Sequence, residues 1–143
     1  MASIIQGATV GLKYLVLTGD INFTTNTFKM ALYTDVADLS PNMTPTTYST
    51  TNEVVGTGYI AGGNTLVVVG PSYSFDDTAS YVNFSTTSWA ASTFTARGAT
   101  IYQSVSLEII AVLDFGSNKT VTNETLTIEF PDNTATGALI RFE

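Results

Sequence analysis

From Phe28 to the end of the chain, short apolar runs recur at close spacing, each closed by glycine, proline, asparagine or aspartate. Phe28-Lys29-Met30-Ala31-Leu32-Tyr33 alternates, so Phe28, Met30 and Leu32 share one face of a strand. Thr65–Val69 is a β-branched run ended by Gly70-Pro71, and Ser80–Phe84 carries Val82 and Phe84 in register. Phe94–Tyr102 and Leu107–Phe115 are the longest runs; the second leads into Gly116-Ser117-Asn118-Lys119, which reads as a hairpin-like turn. Thr125–Phe130 is stopped by Pro131-Asp132-Asn133, and Ala138–Phe142 closes the series. Strands punctuated every ~8–12 residues predict an all-β fold, a β-sandwich or a jelly-roll-like domain. The 25 threonines agree, because a β-branched side chain fits a pleated, half-buried surface. A length of 143 residues is that of one domain, with roughly 7,000 Å² of surface expected once folded.

One segment breaks the β pattern. Val10, Tyr14 and Leu17 fall at i, i+4 and i+7, with Leu12, Leu15 and Val16 beside them and Gly19 placed as a C-cap. This predicts one short helix over Ala8–Thr18, within an N-terminal arm of residues 1–19 that either covers an open end of the sheet or packs on a neighbouring subunit. The apolar stretch Ile4–Leu17 is interrupted by Gln6, Gly7, Thr9, Gly11 and Lys13 and lacks a basic leader, so no targeting or membrane-spanning role is expected of it. Residues 35–64 read as one long loop, with Pro41 and Pro45 amid Ser, Thr and Asn. A loop of that length inside a compact domain is usually functional, and one lacking its own core is often ordered by a partner.

Residues that are missing exclude much chemistry. There is no cysteine, so disulfides and thiolate metal sites are ruled out, and no histidine, so Ser-His-Asp and Cys-His catalysis and imidazole-ligated zinc go too. The net charge is −7, and the five cations Lys13, Lys29, Arg97, Lys119 and Arg141 are scattered, which does not suit a phosphate backbone. No nucleic-acid partner, membrane or cofactor is expected. Only 12% of the residues are charged, and a hydroxyl-rich surface with so few charges to keep copies apart suits a chain that meets others.

The remaining constellations are weak. Gly56-Thr57-Gly58-Tyr59-Ile60-Ala61-Gly62-Gly63 lacks the helix and lysine that a phosphate cradle requires, so its glycines read as turn residues. Glycosidase chemistry needs two carboxylates across a groove; the candidates are Asp76, Asp77, Glu108, Asp114, Glu124 and Glu129. Asp76-Asp77 reads as a half-solvated turn pair without calcium-ligand spacing. Asp114 is expected on the outer face of its strand. Trp89, between Ser88 and Ala90-Ala91, reads as a loop residue that a free carbohydrate-binding module could use.

Three blocks carry a resemblance: Thr27–Thr34; Thr51-Asn52-Glu53-Val54 through Gly56-Thr57-Gly58-Tyr59 to Gly62-Gly63; and Thr95–Ala99 with Ala111–Gly116. In this order and spacing the chain resembles a family of small virion-associated proteins of tailed double-stranded DNA bacteriophages. The resemblance covers most of the chain and departs at Ser72–Ser80. It implies a non-enzymatic particle component without assigning it to one part of the particle, and it carries over no catalytic residue. The resulting expectation is a capsid decoration (cement) protein, a homotrimer bridging capsomers on the outer shell. Its partners would be the major capsid protein or other virion proteins, with assembly in the host cytoplasm. The alternative is a tail, neck or fibre-associated component. Expected interface residues are Leu12 and Leu15 of the arm, Tyr48, and Thr51, Asn52, Glu53, Gly58 and Tyr59 of the loop. Arg97, a fork-like donor in an acidic chain, is expected to anchor an ion pair with a buried or intersubunit carboxylate unless it is an ordinary solvated side chain.

Overall fold

A computed structural model describes residues 3–42 and 46–143; Pro45 of the predicted loop lies outside them. The elements in chain order are β1 (Gly7–Ala8), α1 (Val10–Thr18), β2 (Phe28–Tyr33), β3 (Asn64–Leu66), β4 (Val68–Ser74), β5 (Ala79–Phe84), β6 (Thr87–Gln103), β7 (Ile109–Ile128) and β8 (Ile140–Phe142). They form two antiparallel sheets, β1-β7-β6-β2-β3 and β4-β5-β8. The fold is all-β with one short helix, as the sequence predicts, and its accessible surface is 7580 Å².

The two sheets share one apolar core. Phe28, Met30 and Leu32 of β2 meet Val82 and Phe84 of β5 and Ile140 of β8, and the Phe28 and Phe84 rings pack edge to face at 5.9 Å. Alternation in β2 is therefore correct for its inner face, yet Ala31 and Tyr33 on the other face are buried as well. The long loop accounts for this. Ala37 and Leu39 fold over the outer face of the large sheet and form a second cluster with Ala31, Tyr33, Tyr102, Ile109 and Val112. The loop thus has a core of its own against the sheet.

Close approach explains part of the glycine content. Gly63 sits at φ +73°, where a Cβ would overlap the Met30 carbonyl oxygen in β2. Backbone on backbone leaves no flexible atom to move aside. Gly63→Ala should therefore destabilise the fold by about 2–3 kcal/mol, read from the urea midpoint at unchanged slope.

Several boundaries differ from the sequence reading. Thr65–Val69 divides between β3 and β4, and β4 continues through Gly70-Pro71 to Ser74, with a register shift between Val69 and Ser72. A proline is tolerated there because β4 is an edge strand. β6 begins at Thr87, so Trp89 is a strand residue, 3% exposed, rather than a loop residue.

Leu107–Phe115 and Thr125–Phe130 merge into the single strand β7, and the predicted turn at Gly116–Lys119 does not reverse the chain. Gly98 pairs with Asp114 and Ala96 with Lys119, so Phe115–Asn118 bulge out opposite Arg97 alone. Gly116 takes φ +77°, and its N–H donates to Asp114 Oδ1 at 2.9 Å. The turn chemistry is present, but it builds a bulge.

Gly19 closes α1 in the left-handed conformation at φ 78°, as expected, whereas Thr9, read as a helix residue, is the N-cap and accepts from the Leu12 N–H. The helix packs on its own sheet, one of the two expected placements, but through a narrow face. Leu12 is fully buried and Leu15 half-buried, while Val10, Tyr14 and Leu17 face solvent. Thr9 fastens the helix to its own β7 by donating Oγ1 to the Ile109 carbonyl at 2.6 Å and N–H to the Ile110 carbonyl at 3.0 Å. The segment is bound to its own chain, with its apolar stripe left outward.

Candidate functional site

The loop residues singled out from sequence converge on one buried carboxylate. Glu53 is 6% exposed and bridges to Tyr33 at the end of β2. Its Oε1 accepts from the Tyr59 hydroxyl at 2.6 Å and from the Gly62 N–H at 2.7 Å, and its Oε2 accepts from the Tyr48 hydroxyl at 2.7 Å. Three donors on one carboxylate satisfy most of its acceptor capacity, which is what burying a charge requires.

Each donor is itself held. The Tyr59 hydroxyl also accepts from the Leu32 N–H of β2 at 2.9 Å. Tyr102 of β6 donates to the Gly62 carbonyl at 2.7 Å and stacks on Tyr48, with ring centroids 4.5 Å apart. Tyr33 donates to the Ser49 carbonyl at 2.7 Å. Four tyrosines and one glutamate thus pin the loop to β2 and β6.

The electrostatics follow from the geometry. Burial, then the hydrogen bond to Glu53, pushes the Tyr59 and Tyr48 phenols far above their ordinary range. Burial pushes Tyr33 up to about 12, and burial with the nearby Glu53 charge raises Tyr102. All four phenols keep their protons near neutral pH.

Of the expected interface residues, Tyr48, Glu53 and Tyr59 therefore turn inward. Thr51, Asn52 and Gly58 are exposed on the rim of the same loop. Gly58 (φ +82°) abuts Ser92 of β6, and a Cβ there would overlap the Ser92 hydroxyl. Within the Thr51–Gly63 block the outward large apolar residues are two that sequence reasoning passed over, Val55 at 94% exposure and Ile60 at 82%. Both stand beside inward-turned neighbours, Val54 and Tyr59, and that alternation within a glycine-rich block was the available signal.

Arg97 does anchor an ion pair, and within the chain: its Nε lies 3.1 Å from Asp114 Oδ1, both side chains about one-third exposed. The Gly116 N–H and then Arg97 hold the Asp114 carboxyl below its ordinary range. Asp76-Asp77 lies in the turn joining β4 to β5, where Ser74 donates to Asp77 at 2.9 Å. Among the described residues no group of three or more Asp or Glu is placed to hold a metal ion, and no helix is long and apolar enough to cross a membrane.

Sequence reasoning also missed two concave surfaces. One, about 480 Å³, lies at the β4–β5 turn and is lined by Tyr73, Phe75, Ser80 and Phe142; Tyr73 and Phe75 pack edge to face at 5.0 Å. The other, about 340 Å³, brings Gln6, Leu113–Phe115, Thr127–Pro131 and Leu139 together. Comparison with protein-family models, with curated proteins and with solved structures finds no match to this chain.

Proposed function

We propose that the chain is a non-enzymatic structural protein of a tailed-bacteriophage particle. On this reading it is a capsid decoration protein that trimerises and bridges capsomers on the outer shell. The observation that carries the proposal is the pairing of two fastened segments with outward apolar residues. α1 is tied to β7 and presents Val10, Tyr14 and Leu17; the loop is tied to Glu53 and presents Val55 and Ile60. Rigidly held apolar side chains lose little freedom on contact, which favours a permanent neighbour. The three sequence blocks that resemble virion proteins include this loop, and the acidic composition, without histidine or cysteine, removes imidazole and thiol catalysis as alternatives.

Two point variants test it without touching the fold's interior. Leu17→Asp and Ile60→Asp replace residues 86% and 82% exposed, so both proteins should fold. Each should lower occupancy on purified heads at least tenfold, since an uncompensated charge in an apolar contact costs about 2 kcal/mol or more. Full occupancy in both variants would refute the shell assignment. Quantitative mass spectrometry of intact particles separates it from the tail, neck or fibre alternative. Decoration requires a copy number equal to that of the major capsid protein, whereas those components are present at a small fraction of it.

A further inference from the structure

The second concave surface exists because β7 curls. Fourteen residues of strand separate Asp114 from Ile128, roughly 45 Å if extended, yet both line one groove of about 340 Å³. The register shifts against β6, at Phe115–Asn118 and near Asn123, supply the bend. Half-buried Phe115, Ile128, Phe130 and Leu139 form an apolar floor continuous with the main core.

The polar lining is one-sided. Asp114 is already engaged by Arg97 and the Gly116 N–H. Glu129 is exposed, and no hydrogen bond or ion pair engages it among the described residues. The Gln6 amide oxygen accepts from the Asp114 N–H at 3.1 Å, which fixes that wall. Among the described residues no Lys or Arg lines the groove, and Arg97, beside Asp114 of the lining, is committed to it. Beyond Val112, where the pairing with β1 ends, no described strand lies on the outer edge of β7.

We propose that this groove receives an arginine side chain from an extended segment of a partner polypeptide. The aliphatic stem would lie on the apolar floor, the guanidinium would stack on the Phe115 and Phe130 rings, and Glu129 would accept its fork of N–H donors. The partner's backbone would use the vacant edge of β7. Charge selects the ligand class: the lining offers an unpaired carboxylate and no free cation, so anions are disfavoured. The inference goes beyond the particle assignment and rests on the groove alone.

The test is a titration of ¹⁵N-labelled protein with the blocked pentapeptide Thr-Val-Arg-Val-Thr, followed by amide shifts. Shifts should map to Phe115 and Thr127–Phe130. Glu129→Gln, on the surface and so harmless to the fold, should weaken binding about tenfold, as should replacing the peptide's arginine by glutamine. Three results would overturn the proposal: shifts that map elsewhere or do not appear, equal affinity for the glutamine peptide, or tighter binding of maltoheptaose at the same amides. None of these bears on particle copy number, so the two readings fail separately.

Discussion

Glu53→Ala should cost about 3–4 kcal/mol, a large part of the 5–15 kcal/mol that holds a typical domain together. The loss is not that of one contact. Removing the carboxylate strands the Tyr59 hydroxyl and the Gly62 N–H in the interior and the Tyr48 hydroxyl at its edge, far from any substitute acceptor. Glu53→Gln should cost much less, about 1 kcal/mol, because its amide oxygen can still accept from Tyr59 and Gly62 while the Tyr48 hydroxyl turns to accept from the amide. Urea unfolding of the three proteins would decide it. Equal stability of the alanine and glutamine variants would mean that the cluster contributes packing alone.

The same cluster makes the fold sensitive to alkali. A phenol whose folded-state pKa is raised prefers its proton in the folded chain. Its contribution is therefore complete below the unfolded value of 10.0 and is lost as the pH climbs through the folded value, about 12 for Tyr33. Within that window each tyrosine that stays protonated in the fold but ionises in the unfolded chain removes about 1.4 kcal/mol per pH unit. Tyr33, Tyr48, Tyr59 and Tyr102 are all raised, so stability should fall progressively as the pH climbs above 10.0. The circular-dichroism signal should be lost in one steep transition, and the absorbance of the four clustered tyrosinates should appear in that same step, apart from the three tyrosines outside the cluster. Gradual ionisation with the β signal intact would show these phenols to be accessible.

How much of this was legible depended on the range of the determinants. The inner face of β2, the Gly19 cap and the all-β class follow from periodicity and turn chemistry over a few residues, and they appear as read. Thr87–Thr93 was passed over because Ser88, Ala90 and Ala91 give a strand no apolar alternation, and register with Thr122–Ile128 decides it instead. Tyr48, Glu53 and Tyr59 were singled out, but their convergence depends on β2 and β6 lying beneath the loop, which no local spacing encodes. The outward stripe of α1 shows the opposite error. Helical period locates an apolar face without saying that the chain itself will cover it. The groove was invisible for the same reason, since it exists only once β7 has curled.

That curl bears on how the molecule behaves in bulk. A strand of 20 residues with no described strand on one side beyond Val112, rich in threonine and poor in charge, has the makings of a template for edge-to-edge polymerisation. The bulge of Phe115–Asn118 and the left-handed Asn123 (φ 50°) interrupt it twice, and Lys119 stands between them. A second flat strand finds no long stretch on which to zip, so copies crowded together at high concentration are kept from growing into fibrils.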